Sequence, residues 1–168
     1  PKIPTALMMS KRQRVEPVVD VSRLDLEGLR ARYTAARPFP HVLIEELGDD
    51  EAMKAAKREA IENLKATYKE TDLFKVFQVP QDLATLEAGT LSKLRDVLYS
   101  ADFRQFVERL TGCGPLTDRV DCSANVYAKG GHLLCHDDVI GTRLVSYIVY
   151  LTDDFTCQDG GAFELFEK

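Results

Sequence analysis

The chain has 168 residues, 45% hydrophobic and 29% charged, with a formal net charge of −5. That length suffices for one domain with a real core, and the proportions are those of an ordinary globular protein. The acidic balance argues against direct nucleic-acid binding, and no apolar run approaches the roughly 20 residues that span a bilayer.

Residues 1–22 read as an irregular segment, with Pro1, Pro4 and Pro17 and no sustained apolar period. Its positive charges follow the short apolar stretch, the reverse of a secretory leader, so the protein is expected to be intracellular, in the nucleus and/or the cytoplasm. The basic cluster Lys11-Arg12-Gln13-Arg14 reads as a solvated tail, with a nuclear import signal as the alternative. Cys113, Cys122, Cys135 and Cys157 form no CxxC pair, which argues against a zinc knuckle, and they are expected to be buried free thiols.

A helix fits Leu24–Ala36, with Leu26, Leu29 and Tyr33 on one stripe, and Pro38 and Pro40 stop it. His41–Ile44 reads as a short strand with His41 at its start. Asp49 or Asp50 can cap a long helix over Glu51–Tyr68, rich in Ala, Lys and Glu. Leu73–Val79 alternates as a strand closed by Pro80. Leu91–Tyr99 is a further helix, and Asp102 caps another over Phe103–Thr111, whose Phe103, Phe106, Val107 and Leu110 point one way. Gly112 and Gly114 end it.

After Pro115 the pattern changes to strands. Val120–Ala128 reads as one, Gly130-Gly131 as a turn, and His132–Cys135 as its partner. Arg143–Leu151 is dense in β-branched and aromatic residues, and Ala162–Phe166 follows the turn signal Asp159-Gly160-Gly161. Helices first and strands later predict an α+β fold.

His136 and Asp138 stand two residues apart. At the end of a strand such residues face the same side, where an imidazole and a carboxylate converge on one metal. With a second histidine they make the two-His-one-carboxylate triad of nonheme Fe(II) oxygenases, which leaves room for a bidentate 2-oxo acid and O2. The triplet alone is weak, because H-x-D is common by chance and a strand-end histidine is more often structural. Asp137 alternates to the other face and is not expected to be a ligand. His132 shares the face of His136, but four strand residues span roughly 13 Å, so it cannot share the metal along an unbroken strand.

The stretch SANVYAKGGHLLCHDDVIGTRLVSYIVYL, Ser123 to Leu151, gives the pair its context. With N-V-Y before a glycine turn, H-L-L-x-H-D-D, and G-x-R ahead of an aromatic strand, it resembles the ribosomal prolyl 3,4-dihydroxylases, a branch of the Fe(II)/2-oxoglutarate oxygenases. The likeness covers about the last 50 residues, through Phe163-Glu-Leu-Phe166; PFPHVLIEELGDD fits more loosely.

The resemblance implies that His136 and Asp138 are metal ligands and that Tyr127 and Tyr150 contact 2-oxoglutarate. Tyr150 shares a strand face with Ser146 and Ile148, so it can point into a barrel; the plain alternative makes both tyrosines half-buried packing residues. Leu134 and Arg143 are candidate pocket residues, although Leu134 serves equally as core and Leu144 stands where the family often has a second arginine. The implied cofactors are Fe(II), 2-oxoglutarate and O2, with ascorbate as a reductant. The implied fold is a set of N-terminal helices, about residues 23–114, supporting a double-stranded β-helix (jelly-roll) core from about 115. The implied substrate is a prolyl residue of a small-subunit ribosomal protein.

No histidine follows His136, and Arg143 is the only later arginine, so the distal histidine and 2-oxoglutarate-binding arginine of the family have no counterpart here. A closed jelly roll needs about eight strands, and about half are expected. The expectation is therefore a fragment of a longer enzyme, with a natural short form lacking the chemistry as the alternative, and inactive as these 168 residues alone. A different class of function is a noncatalytic interaction or oxygen-sensing module built on an oxygenase-like fold. A different substrate, a small molecule or a nucleic acid base, is a third reading within the enzyme class.

Overall fold

A computed structural model of the chain describes residues 18–80, 82–86, 89–138 and 140–167. The basic cluster Lys11-Arg12-Gln13-Arg14 and most of the expected irregular segment lie outside these residues. The part of that segment that is described is ordered: Val18 and Val19 are buried, and Val19 bridges to Gly48.

Four helices form one layer: α1 (Leu26–Ala35), α2 (Asp50–Asn63), α3 (Thr90–Leu98) and α4 (Ala101–Thr111). α1 packs on α4, α2 on α3, and α3 on α4. Each start is capped by a polar oxygen that satisfies amide groups the helix cannot. Asp25 accepts from the Gly28 amide and Asp49 from the Ala52 amide. Ser100, rather than the expected Asp102, caps α4 by accepting from the Phe103 amide; Asp102 falls inside the first turn. α3 begins at Gly89, which has no side chain to offer. Glu59 of α2 accepts the Thr90 and Leu91 amides instead, at 2.6 and 3.1 Å. Gly112, at φ 71°, ends α4 in the left-handed region.

Leu29, Leu91, Leu94, Leu98, Phe103, Phe106, Val107 and Leu110 fill the core, as the stripes on α1 and α4 predict. Burying each of these large side chains contributes about 1.5–3 kcal/mol.

The expected long helix over Glu51–Tyr68 stops at Asn63. Thr67–Glu70 is instead strand β1, antiparallel to β2 (Phe74–Gln78), with Thr67 opposite Gln78 and Glu70 opposite Lys75. Tyr68 stacks on Phe77 across the pair at 5.3 Å, a tertiary contact that outweighs local helix propensity. Two strands thus lie within the stretch expected to be helical support, and the fold is a mixed helix-and-sheet arrangement.

The expected hairpin between Val120–Ala128 and His132–Cys135 does not form. β3 (Asn125–Val126) and β4 (His132–Leu133) both pair antiparallel with β2, at opposite ends of it. They behave as one strand interrupted by the loop at 127–131. That loop turns at Gly130, φ 83°, where the Gly131 amide donates to the Ala128 carbonyl at 2.7 Å. A Cβ on Gly131 would lie 2.9 Å from the Ala128 oxygen and 3.0 Å from the Lys75 oxygen. Glycine is what lets the loop press on β2.

The expected strands His41–Ile44, Arg143–Leu151 and Ala162–Phe166 form no ladder among the described residues. Their alternation sets only which side chains face the core. Val42 and Ile44 pack on it, as do Val145, Val149 and Leu151. Tyr147 meets Phe103 edge-on at 5.4 Å. The intervening Leu144, Ile148 and Tyr150 are exposed, so segment 143–151 lays one face on the helices and presents the other outward. Among the described residues no helix is long and apolar enough to cross a membrane.

The cysteines correct the buried-thiol expectation. Cys113 and Cys122 are half-buried, Cys135 is exposed, and the Cys157 side chain lies outside the description.

Candidate metal centre

The helical layer fixes the start of the site-bearing segment. Tyr99 of α3 donates its hydroxyl to both oxygens of Asp82, at 2.7 and 2.8 Å, and the Cys122 amide donates to Asp82 Oδ2 at 3.1 Å. The Leu83 amide donates to the Cys122 carbonyl at 3.0 Å. Burial, followed by these acidic neighbours, pushes the Tyr99 hydroxyl well above the usual phenol range.

Downstream, β4 carries the chain to His136. The imidazole Nδ1 lies 2.8 Å from the Leu134 carbonyl, and Nε2 lies 3.2 Å from Asp138 Oδ1. A carbonyl only accepts, so Nδ1 carries a proton. Nε2 and the Asp138 carboxylate are thereby brought together, where both can turn a lone pair to one bound cation. Asp138 reaches this position through a left-handed backbone, φ 53°, which aspartate tolerates better than most residues. His136 and Asp138 side chains are 33% and 52% exposed, so the pair is open to an incoming ion.

This donor set fits a divalent metal. Bonds of about 2.1 Å place neighbouring ligand atoms of an octahedral ion roughly 3 Å apart, close to the observed separation. The Nδ1 bond to a backbone carbonyl is the usual outer partner of a ligating histidine. Among the described residues no group of three metal-ligating side chains occurs.

Arg143 approaches the same oxygen of Asp138. Its Nη1 is 3.9 Å from Asp138 Oδ1 and its Nη2 is 3.9 Å from Asp121 Oδ2. The Arg143 amide donates to the Ile140 carbonyl at 3.1 Å, closing the turn that returns the chain to the carboxylate.

Tyr127 stands at the first position of the 127–131 loop, outside the ladder and 48% exposed. Burial, and then the neighbouring Tyr150 phenol, raises its pKa. Tyr150 is 61% exposed on the outward face of segment 143–151. The Leu134 side chain is also exposed, and its tie to the site is its carbonyl.

His132 does not join the pair. It sits opposite Lys75 on β2, with Nδ1 3.3 Å from the Gly130 carbonyl, and its charge acts on Glu70 instead. His41 lies in irregular backbone rather than at a strand start, its Nδ1 2.8 Å from the Phe39 carbonyl.

Residues 122–168, the segment that bears this pair, match the model of the 2OG-Fe(II) oxygenase superfamily. The prolyl 3,4-dihydroxylase OGFOD1 of Ostreococcus tauri is 50% identical over 141 residues, covering 77% of this chain and 27% of the relative.

The chain belongs to the 2OG-Fe(II) oxygenase superfamily.

Further relatives of this oxygenase chain are animal proteins. The prolyl 3-hydroxylase OGFOD1 of Xenopus laevis is 33% identical over 129 residues, covering 77% of this chain and 25% of its own. The prolyl 3-hydroxylase sudestada1 of Drosophila melanogaster is 27% identical over 149 residues, covering 83% and 27%. The chain spans about a quarter of the length of these curated relatives.

Two neighbours of the His136–Asp138 pair have no sequence signal. Asp121 carries no motif and is recognised only through its position at Arg143. The Leu134 carbonyl is backbone, which no residue pattern announces.

Proposed function

We propose that the chain carries the proximal iron-binding part of a 2-oxoglutarate-dependent prolyl hydroxylase, with His136 and Asp138 as two of its Fe(II) ligands. The observation behind this reading is the facing of Nε2 and Oδ1 at 3.2 Å while Nδ1 is held by the Leu134 carbonyl. The core would be a double-stranded β-helix from about residue 115, supported by the helical layer. Its substrate would be a prolyl residue of a small-subunit ribosomal protein, consistent with the prolyl hydroxylase names of the relatives and with the resemblance over Ser123 to Leu151.

When bound, Fe(II) with 2-oxoglutarate and O2 couples decarboxylation of the 2-oxo acid to hydroxylation of a proline C–H bond. The residues of the chain prepare that chemistry. Leu134 fixes the imidazole tautomer through its carbonyl, so that Nε2 faces the ion. The turn at residues 140–143 brings Arg143 back beside the Asp138 carboxylate. Tyr127 and Tyr150 offer hydroxyl donors to the carboxylate of the co-substrate, and burial keeps the Tyr127 phenol protonated near neutral pH.

The test is mass spectrometry of a proline-containing ribosomal-protein peptide incubated with the whole hydroxylase of which this chain is the proximal part, together with Fe(II), 2-oxoglutarate and O2. The expected product carries one added oxygen on proline, and it disappears when either Fe(II) or 2-oxoglutarate is omitted or when His136→Ala replaces the wild type. A product that persists in H136A, or an absence of oxygen transfer to any such peptide, overturns the reading.

A further inference from the structure

The metal-ligand pair does not stand alone on its carboxylate side. Asp138 Oδ1 lies between the His136 imidazole, at 3.2 Å, and the Arg143 guanidinium, at 3.9 Å. The other arm of Arg143 reaches Asp121, also at 3.9 Å. Asp121 directly precedes Cys122, whose amide and carbonyl are hydrogen-bonded to Asp82 and Leu83 beside α3. A line of side chains and backbone therefore runs from the helical layer through Asp121 and Arg143 to Asp138.

Arg143 is suited to this place by shape as well as charge. Its two terminal nitrogens each lie at ion-pair distance from a different carboxylate, a span that the single ammonium of a lysine does not have. Asp138 needs such support more than most ligands. Its left-handed backbone, φ 53°, is followed at once by a turn with Gly141 at φ 57°, and the carboxylate is half exposed. Held only by that turn, it would sample several rotamers. The Arg143 amide bond to the Ile140 carbonyl anchors the guanidinium to the same turn.

The charges also balance. A lone guanidinium beside a ligand carboxylate would repel an incoming divalent cation. Asp121 offsets that charge, so what Arg143 supplies is chiefly orientation.

We infer that Arg143, held by Asp121, is a positioning residue that orients the Asp138 carboxylate for metal binding. The inference rests on the proposed role of His136 and Asp138 as ligands, and it goes beyond the placement of Arg143 as a pocket residue.

The experiment is anaerobic titration with Fe(II), repeated with Co(II) and its ligand-field spectrum, on wild type, R143Q, R143K, D121N and H136A. Thermal unfolding of each protein without metal accompanies it. The expected result is that R143Q binds about ten-fold or more weakly, the size typical of lost outer-sphere support. R143K recovers part of that loss, D121N loses less than R143Q, and the Co(II) spectrum of R143Q shifts. Equal or tighter metal binding by R143Q, with unfolding temperature unchanged, overturns the role of Arg143 alone. If wild type binds no better than H136A, the ligand assignment itself falls. Should R143Q unfold early, R143K and D121N decide: wild-type affinity and spectrum in both overturn the inference.

Discussion

His136 commits Nδ1 to the Leu134 carbonyl at 2.8 Å and turns Nε2 to Asp138 Oδ1 at 3.2 Å. The two residues are joined by only one intervening position, yet their geometry depends on the left-handed backbone at Asp138. That dependence separates the effect of the side chain from the effect of the fold. Asp138→Gly removes the carboxylate but suits φ 53° better than any side chain. The expected variant unfolds at the same temperature as wild type or slightly above it, while its affinity for Fe(II) falls at least ten-fold. Calorimetry and metal titration on the same preparation check both halves.

The 127–131 loop sets where Tyr127 emerges from the sheet. A Cβ at Gly131 would meet two backbone oxygens at 2.9 and 3.0 Å, and neither is the end of a flexible side chain. Gly131→Ala is expected to push the loop off β2 and to destabilise the protein by about 1–3 kcal/mol. Urea denaturation measures the loss. Faster amide exchange at Lys75 and His132 locates it.

Core packing carries most of the stability of the helical layer. Phe106 on α4 is 6% exposed and lies 6.1 Å from Phe103, ring to ring. Phe106→Ala is expected to cost about 3–5 kcal/mol, the range for deleting a buried aromatic ring. A chemical denaturation midpoint shift reads it directly.

Burial, with a smaller push from the neighbouring Cys122, raises the Tyr147 hydroxyl to about 12. In the unfolded chain the same group ionises near about 10. The folded state therefore keeps a proton that the unfolded state releases. The resulting stability is complete below about pH 10 and is lost as the pH rises through about 12. Tyr99 acts in the same direction. Denaturation midpoints for wild type should fall over this window, and Tyr147→Phe should flatten the decline. A wild-type midpoint that is level through the window contradicts the assignment.

Much of this arrangement was legible from residue patterns. The stripes Leu26, Leu29, Tyr33 and Phe103, Phe106, Val107, Leu110 locate α1 and α4, because a helix buries a face at fixed spacing. The alternation of segment 143–151 separates two faces, but which one meets the helices was not legible: Val145, Val149 and Leu151 pack on the core, while Ile148 and Tyr150, expected to point into a barrel, are exposed. Pairing was not legible. Ladder partners depend on distant backbone, so Tyr68 was assigned to a helix, and β3 and β4 were assigned to each other instead of to β2. The H-x-D pair was visible as a candidate, and the run from Asn125 to Tyr150 gave it a family. Its outer support was not visible, since Asp121, just ahead of the run from Ser123, carries no motif of its own and the Leu134 carbonyl has no signature. Asp82, which ties Tyr99 to Cys122, looked like any loop acid.

The central claim is that His136 and Asp138 together hold Fe(II). Anaerobic Fe(II) binding by wild type, His136→Ala and Asp138→Ala tests it most directly. The account predicts saturable binding by wild type that each substitution weakens by at least about ten-fold, with the double variant little worse than either alone. Fe(II) affinity that is unchanged in both single variants would contradict it.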